Sequence, residues 1–531
     1  MSDGLHVLRA EYLRAALSPS VLQSIPSEVL AGFISQRRWF GAKSGAVTEV
    51  RFTDIVSLPW GTNGAVVACM RVTADGQQLQ YQLPLTVTEE GTNQATTTTA
   101  IASVEAGDAR GVLIDATEDS DFRRSLGEAF EQGASFQGES SEWKFERVGD
   151  GSLGIAGLEP MLGSAEQSNT SMVFGDRAIL KLFRRLESGE NPDPEIGSAL
   201  TEAGFEHVPA LMGRVRFVTR DGTIDAGMLQ QLVPGSTDAW KYALEAGKSY
   251  FRSKEGTEPA NTFLPDAEVI GRVTRSLHEA LGSIQGKPAF TTQPASARNV
   301  AEWGKKAKRS VTEGLDLLSG LIGRKGLPKD RVPEAEVLLR RRDHFVNHLD
   351  EIVRATEHDG GARIRHHGDY HLGQLLHGAD GQFYVIDFEG EPARPLAERR
   401  ETHSALRDVA GMLRSFGYAA ATLATEAGSA IQPHVRELLS ARWERDARNA
   451  FLRGYLATEV GAGAFLPKGD DSVRQLISLF ETEKVFYELA YELNNRPDWV
   501  WIPMRGISKL LVSSAQSPSS GASRSRGRSS G

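Results

Sequence analysis

The residues with the clearest chemical potential stand in one histidine-rich segment. His367 and Asp369 form a His-x-Asp motif, and a carboxamide, Gln374, follows five positions after the aspartate. Asp387 comes 18 positions after Asp369, directly behind an apolar run. A carboxylate such as Asp369 can orient a hydroxyl group and accept its proton. The oxygens of Gln374 and Asp387 suit Mg²⁺ beside phosphate groups, so the spacing predicts phosphoryl transfer.

The same segment offers a second reading, because it holds several histidines that could bind zinc instead. They are His366, His367, His371 and His377. The segment lacks a pattern such as H-E-x-x-H, and the neighbouring aspartates suit magnesium better than zinc. We therefore interpret His367 as a residue that holds the loop through hydrogen bonds.

A lysine inside an apolar run supplies the complementary group. Lys181 stands in the sequence AILKLF at 178–183, where an inward-facing ammonium needs an anionic partner. Phosphate oxygens and Glu195, on a following helix, fit that need, whereas an outward lysine on an edge strand would need neither. The polar residues before this apolar run can cradle phosphates with their backbone amides and hydroxyls. The segment 230–235 is predicted to connect the two lobes. The predicted nucleotide-binding residues are Lys181, Glu195, Ser168, Asn169, Thr170, Gln230 and Leu232.

Two other patterns are set aside. Residues 149–154 match G-x-G-x-x-G, but no βαβ unit follows, so the segment is interpreted as a flexible connection. The basic and aromatic cluster RRWFGAKS at 37–44 lacks the spacing of a phosphate-binding P-loop, and we expect it to serve packing.

Hydrophobic patterning divides the chain into unlike parts. Strand patterns run through 46–88 and return as two hairpins between 152 and 233, with a helix predicted at 194–203. After Pro234 the spacing becomes helical, at 270–281, 338–352 and 472–493, the last helix ending before Pro497. The predicted domains are 1–150, a cap with an intermediate β-rich region; 151–233, a first lobe; 234–515, a helical lobe; and 516–531, a disordered tail.

Composition excludes several classes of protein. The 531 residues carry a formal net charge of −9, which argues against nonspecific nucleic-acid binding. The chain has a single cysteine, and no run approaches the ~20 apolar residues of a membrane-spanning helix. We expect a soluble cytoplasmic protein with no nucleic-acid or membrane partner.

The motifs together resemble the bacterial maltokinases, which belong with the aminoglycoside-phosphotransferase-like kinases. The matching segments are RRWFGAKS, EQSNTS, ILKLFRR, HHGDYHLGQ, VIDFEGEPARPLAERR, LRDVAGMLRSF and YELAYELNNRPDWVWIP, spread from 37 to 503. The resemblance implies an α+β, bilobal protein-kinase-like fold with an N-terminal β-rich cap and a mostly helical C-lobe. Residues 242–264 and the tail are not explained by these motifs.

The resemblance also implies a reaction, the ATP-dependent phosphorylation of maltose at its anomeric hydroxyl for α-glucan synthesis from trehalose. Asp369 would be the base, Gln374 and Asp387 the Mg²⁺ ligands, and trehalose synthase a possible partner. The residues implied on the sugar side are His371, Glu389, Arg394, Tyr487, Tyr491 and Trp499. The spacing of Tyr487 and Tyr491 with Phe480 is also that of a buried helix face. Glucosamine kinases share much of the pattern, and a pseudokinase that only binds is the remaining alternative.

Overall fold

The computed structural model of the chain describes residues 5–41, 47–91, 100–163, 168–252, 260–324, 326–392, 394–428, 431–457 and 465–515. The predicted tail and part of the predicted phosphate-cradling segment, residues 166 and 167, lie outside these ranges.

The strands and helices of the described residues are numbered along the chain. The strands are β1 Val7–Arg9, β2 Val47–Leu58, β3 Ala65–Ala74, β4 Gln77–Glu89, β5 Ala100–Ala106, β6 Ala109–Asp115, β7 Ser135–Gln137, β8 Ser141–Arg147, β9 Met161–Leu162, β10 Asn169–Phe174, β11 Ala178–Phe183, β12 Arg185–Leu186, β13 Leu211–Thr219, β14 Gly222–Gln231, β15 Thr237–Asp238, β16 Gln293–Pro294, β17 Ala362–Ile364, β18 Leu375–His377, β19 Phe383–Val385 and β20 His403–Ser404. The helices are α1 Pro19–Leu22, α2 Ser27–Ser35, α3 Ser120–Gln132, α4 Pro192–Glu202, α5 Ala239–Phe251, α6 Leu264–Ser283, α7 Ala297–Gly323, α8 Val332–Arg340, α9 Arg342–Thr356, α10 Leu396–Arg399, α11 Leu406–Glu426, α12 Pro433–Leu456, α13 Asp470–Asn495 and α14 Trp501–Ala515.

The chain folds into two compact units. The first comprises Met1–Ser236 and Gly378–Arg399, and the second comprises Thr237–His377 and Arg400–Gly531. The return of 378–399 to the first unit differs from the predicted domains, which placed this segment in the helical lobe. Backbone pairing explains it, because the amide of Val385 donates to the carbonyl of His207 at 2.8 Å and the His207 ring contacts the carbonyl of Phe383 at 3.0 Å.

Two sheets form the first unit. The cap sheet has the order β1-β5-β6-β4-β3-β2, with β12 added to β4, and its long strands β2, β3 and β4 fall where the alternating pattern predicts them. The second sheet has the order β7-β8-β13-β14-β11-β10-β9. It contains both predicted hairpins, with α4 between them in the chain.

The border between cap and first lobe lies earlier than predicted. Strands β7 and β8 fall within residues 1–150, yet β8 pairs with β13 from Gly213↔Arg147 to Thr219↔Ser141. This pairing joins residues about 70 positions apart, which local hydrophobic patterns do not encode. A shared core also joins the two sheets, because Val56 and Val67 of the cap lie in one buried cluster with Trp143 and Leu180.

The second unit is mainly helical. Helix α6 packs on α12, α7 on α13, and α11 on both α12 and α13. At the crossing of α6 and α12, a Cβ on Gly271 would overlap the carbonyl oxygen of Phe451, and one on Gly454 would overlap that of Glu268, so only glycine permits this close approach. The predicted helix at 338–352 is two helices, α8 and α9, separated at Arg341, and α13 ends before Pro497 as predicted.

Within the described ranges, no helix combines the length and the apolar composition that crossing a membrane requires.

Candidate active site

Lys181 is buried in the first unit with two carboxylates. Its side chain lies on β11, is 7% exposed, and points its Nζ at Asp193 Oδ2 (3.3 Å) and Asp387 Oδ1 (3.5 Å). A buried ammonium requires such partners, because removing the charge from water is costly unless it is paired. The lysine thus faces inward, as the sequence predicts.

Asp193 connects this lysine to the segment that carries Asp387. Its Oδ1 accepts the backbone N–H of Phe388 at 2.9 Å, while Oδ2 meets Lys181. Asp387 has a backbone φ of +67°, a left-handed conformation that is uncommon outside glycine and costs energy. Such strain persists only where the surroundings enforce it, so Asp193 fixes the position of the Asp387 carboxylate.

The ion-pair partners of Lys181 given by the structure are Asp193 and Asp387, whereas the sequence prediction selected Glu195 of the same helix as Asp193. Asp193 and Glu195 are two positions apart on α4, so their side chains project about 200° apart around the helix axis. Asp193 lies in the first turn, behind Asn191, whose side chain caps the helix by accepting the Asp193 amide. The signal in the sequence is this capped Asn-Pro-Asp start; the role of Glu195 itself stays a prediction.

A third carboxylate completes the cluster. Oxygen atoms of Asp193, Asp387 and Glu389 all lie within 4.8 Å of one another. Burial, together with the charges of Asp387 and Asp193, raises the pKa of Glu389 above its usual range. Three hard oxygen donors at this spacing match the preference of Mg²⁺. Asp387 was predicted as a metal ligand, whereas Glu389 was assigned to the sugar side and lies here among these carboxylates.

The residues predicted to bind the nucleotide differ in their burial and in their hydrogen bonds. Asn169 Nδ2 donates to Glu389 Oε1 at 3.2 Å, so the start of β10 is tied to the carboxylate cluster. Thr170 Oγ1 accepts a hydrogen bond from the buried Arg184 at 2.7 Å, while Ser168 is exposed. Gln230 is buried on β14, and the amide of Leu232 donates to the carbonyl of Arg177 at 2.9 Å. Nucleotide binding by these residues stays a prediction.

In the second unit, Asp408 holds the backbone of the His-x-Asp loop. Its carboxylate accepts the amides of His367 (2.8 Å) and Gly368 (2.9 Å) and contacts Nε2 of His278 at 3.1 Å. Asp408 is 1% exposed, and the neighbouring histidines and their hydrogen bonds outweigh burial, so its pKa is lowered. Sequence patterns do not single out Asp408, because it lies about 40 positions from the loop in an apolar helix, α11.

The loop presents Asp369 with a lysine beside it. His367 Nδ1 accepts the Asp369 amide at 3.4 Å, which agrees with the structural role predicted for this histidine. Asp369 Oδ1 contacts Lys484 Nζ of α13 at 3.0 Å, and both side chains are about a fifth exposed. The ion pair with Lys484 holds the Asp369 carboxylate beside α13.

Gln374 and His371 lie on the short turn Leu372–Gln374 that follows the loop. His371 Nδ1 accepts the Gly373 amide at 3.0 Å, and its Nε2 lies 3.5 Å from Gln374 Nε2. Gln374 belongs to the second unit and Asp387 to the first, so a metal ion held by both stays a prediction. The fourth histidine, His377, stacks on Tyr242 with ring centres 4.0 Å apart.

Of the three predicted sugar-side aromatic residues around the end of α13, Tyr491 and Trp499 are exposed and Tyr487 is half-buried. Tyr491 is 45% and Trp499 37% exposed, although Phe480 of the same helix is buried, so the buried-face alternative fails for Tyr491. The Arg496 guanidinium lies over both rings, at 5.5 and 5.2 Å from their centres, and Lys484 Nζ lies 5.2 Å from that of Tyr487. Arg394, in the first unit, is ion-paired with Glu391 and Glu398.

The burial of the His366 imidazole predicts how the free energy of unfolding depends on pH. It is buried, and desolvation lowers its pKa to about 3. In the unfolded chain the imidazole takes up a proton near pH 6.5, whereas in the folded protein it stays neutral. The contribution of the neutral His366 to the free energy of unfolding is therefore fully present above about pH 6.5. Below that pH it is lost, by about 2 kcal/mol between pH 7 and pH 5. Urea unfolding at both pH values measures this loss.

The control is His366→Phe, which keeps a ring in the same place but cannot bind a proton. We expect the fall in unfolding free energy from pH 7 to pH 5 to be smaller in this variant. Equal losses in the variant and the parent protein would contradict the assignment.

Known proteins resemble this chain both in one domain and over most of its length. Residues 33–119 match the maltokinase N-terminal cap domain. A glucosamine kinase of Streptacidiphilus jiangxiensis is 27% identical over 364 residues, which are 67% of this chain and 75% of the relative. One of Mycolicibacterium smegmatis is 28% identical over 359 residues, 66% of this chain and 78% of the relative.

Solved structures show the same fold. A glucosamine kinase in complex with glucosamine, ADP and inorganic phosphate has a TM-score of 0.62 at 21% identity and covers 92% of this chain and 100% of its own. Another crystal form of a glucosamine kinase has a TM-score of 0.63 at 20% identity, covering 92% and 98%. The α+β, bilobal kinase-like fold with an N-terminal cap is thereby confirmed. The matched cap domain and the glucosamine kinase relatives support the resemblance of this chain to the maltokinase family.

Proposed function

We propose that this protein is a sugar kinase that transfers the γ-phosphoryl group of ATP to the anomeric hydroxyl of maltose, giving maltose 1-phosphate and ADP. The observation that carries the kinase assignment is the buried lysine of the first unit, paired with Asp193 and Asp387. The glucosamine kinase relatives support a sugar kinase. Maltose is supported by the cap domain match and by the motifs of the sequence.

The first unit would bind the nucleotide. Lys181 is the cation for the phosphate oxygens, and Asp387 and Glu389 are the oxygen donors for Mg²⁺, with Asp193 fixing the geometry of both. Bound Mg²⁺ would neutralise negative charge on the phosphates. Because the lysine and the carboxylates are already held together by one another, little reorganisation is needed when the nucleotide arrives.

In the second unit, Asp369 would accept the proton of the attacking sugar hydroxyl. A sugar hydroxyl is a weak nucleophile, so an oriented carboxylate helps by hydrogen bonding to it as the bond to phosphorus forms. Asp408 holds the loop backbone, and Lys484 pairs with the Asp369 carboxylate. The exposed rings of Tyr491 and Trp499 offer apolar faces against which sugar rings can pack.

Glucosamine is the second candidate acceptor. The relatives that align over two thirds of the chain, and the solved structures with the same fold, are named glucosamine kinases. The same base and nucleotide residues would serve either sugar. The amino group of glucosamine would need an acceptor or a carboxylate beside it, whereas maltose would need a longer surface for its second ring.

A panel of acceptors tests the proposal. Purified protein with ATP and Mg²⁺ is assayed for ADP release with maltose, glucosamine, glucose and an aminoglycoside. We expect maltose to give the highest kcat/KM. Activity with glucosamine but not maltose would overturn the acceptor, and nucleotide binding without ADP release from any sugar would favour a binding-only protein. Activity with maltose would also be consistent with a place beside trehalose synthase in α-glucan (glycogen) synthesis.

A further inference from the structure

The second unit contains a large cavity between α12 and α14, which we name the α12–α14 cavity. Its volume is about 520 Å³, within the range of small-molecule sites. The cavity is lined by five basic and three acidic side chains: Arg414, Arg445, Arg448, Arg505 and Lys509, with Glu334, Glu444 and Glu481. None of these residues belongs to the set assigned above to nucleotide, metal, base or sugar.

Two of the three acidic groups of this cavity are paired with basic neighbours. Arg448 donates two nitrogens to the two oxygens of Glu481, at 2.6 and 2.9 Å. Lys509 Nζ is paired with Glu444 Oε2, and Ser508 Oγ donates to Glu334 Oε1 at 3.4 Å. Glu444 and Glu481 are therefore paired before any ligand arrives.

Two guanidinium groups of the cavity, those of Arg414 and Arg445, keep N–H donors beyond their ion pairs, because a guanidinium has five N–H bonds. Arg414, only 5% exposed, gives Nε and Nη2 to one oxygen of Glu488, at 2.9 and 2.7 Å. Arg445 gives Nε and Nη2 to Asp446, at 2.9 and 2.8 Å. Within the described ranges, the structure gives the Nη1 group of neither arginine an acceptor.

Gly506 shapes the wall where Arg414 reaches the cavity. The Arg414 Nη1 atom lies so near that a Cβ on Gly506 would overlap it. Any other residue at this position would push the guanidinium away, so the glycine leaves room for a buried, donor-rich group beside the space. A cavity with surplus donors and occupied acceptors suits a ligand that is rich in acceptors.

We propose that the α12–α14 cavity binds a sugar phosphate. Phosphate oxygens accept hydrogen bonds without donating any, and their geometry matches the paired N–H groups of arginine. The volume exceeds what a lone phosphate ion fills, which leaves space for a sugar whose hydroxyls meet the remaining polar lining. This site goes beyond the proposed function, since it contains none of the residues assigned to the reaction.

Isothermal titration of the full-length Asp369→Asn variant tests the proposal, because this variant separates binding from turnover. The probes are glucose 1-phosphate, inorganic phosphate and glucose, each titrated with excess maltose to occupy the acceptor site. We expect one equivalent of glucose 1-phosphate to bind, at least tenfold more tightly than either other probe. No binding, or equal affinity for inorganic phosphate or glucose, would overturn the assignment, whatever the outcome of the kinase assays.

Two further variants locate the binding. Arg445→Gln changes a side chain that is 63% exposed, and a double variant adds Arg505→Gln; both should weaken glucose 1-phosphate binding about tenfold or more. Arg453→Gln, a 60% exposed arginine of α12 that does not line the cavity, is the matched control and should bind as the parent does. If Arg445→Gln and the double variant also bind as the parent does, the phosphate lies elsewhere.

Discussion

Replacing Asp369 with asparagine is expected to lower kcat by about 10²–10⁴-fold while the protein stays folded. The substitution keeps the size of the side chain but removes the carboxylate that would accept the proton of the sugar hydroxyl. The fold should persist because Asp369 is partly exposed and the loop is held by Asp408 through other backbone amides. Steady-state kinetics with saturating ATP, Mg²⁺ and sugar give the measurement, with circular dichroism as the folding check.

Asp350→Asn is a suitable control for this variant. Asp350 also pairs with a lysine, Lys308, at 2.6 Å, but it is 44% exposed on α9. Its substitution should leave kcat within about twofold, since exposed ion pairs contribute little. If Asp369→Asn turned over near the parent rate, Asp369 would not be the base.

Replacing Asp193 with asparagine is expected to lower kcat/KM for ATP about 10²-fold, equivalent to about 2.7 kcal/mol. The amide can still accept the Phe388 N–H through its oxygen, but Lys181 loses one of two anionic partners in a buried site. Lys181 would then be drawn toward Asp387 alone, which disturbs both the phosphate cation and a metal ligand.

Glu195→Gln is the matched control, because it makes the same chemical change two residues further along α4. We expect it to alter kcat/KM less than about threefold. Thermal unfolding with and without ADP separates loss of stability from loss of binding. Equal damage from the two variants would return Glu195 to the role that the sequence suggests and would remove Asp193 from it.

Local patterns predict much of the fold because most of its strands are read from neighbouring residues. The alternation through 47–89 marks β2, β3 and β4, and Pro497 marks the end of α13. The border of the cap is missed because β8 pairs with β13, far along the chain. The break at Arg341 is missed because the apolar spacing continues through it from α8 into α9.

Some residues of the candidate site follow from the spacing of motifs in the sequence, and others are identified by contacts that form on folding. Lys181, Asp369 and Asp387 carry motifs with fixed spacing, so the sequence identifies them. Asp193 and Asp408 act through contacts made by folding: one reaches the amide of residue 388, and the other reaches the loop at 367 and 368. Asp193 stands at an Asn-Pro-Asp helix start and Asp408 in an apolar helix, but neither pattern tells which backbone amides the carboxylate reaches, so the structure is needed to identify these contacts.

Phosphorus NMR of the reaction mixture tests most directly whether the protein transfers the γ-phosphate of ATP to a sugar. The protein is incubated with ATP, Mg²⁺ and maltose, and the Asp369→Asn variant is treated identically. We expect the γ-phosphate signal to fall while ADP and a phosphate ester coupled to an anomeric proton appear in equal amounts, with little change in the variant. Hydrolysis of ATP only to inorganic phosphate would contradict the assignment as a sugar kinase. ATP that stays intact with maltose, and also in a parallel sample with glucosamine, would contradict it as well.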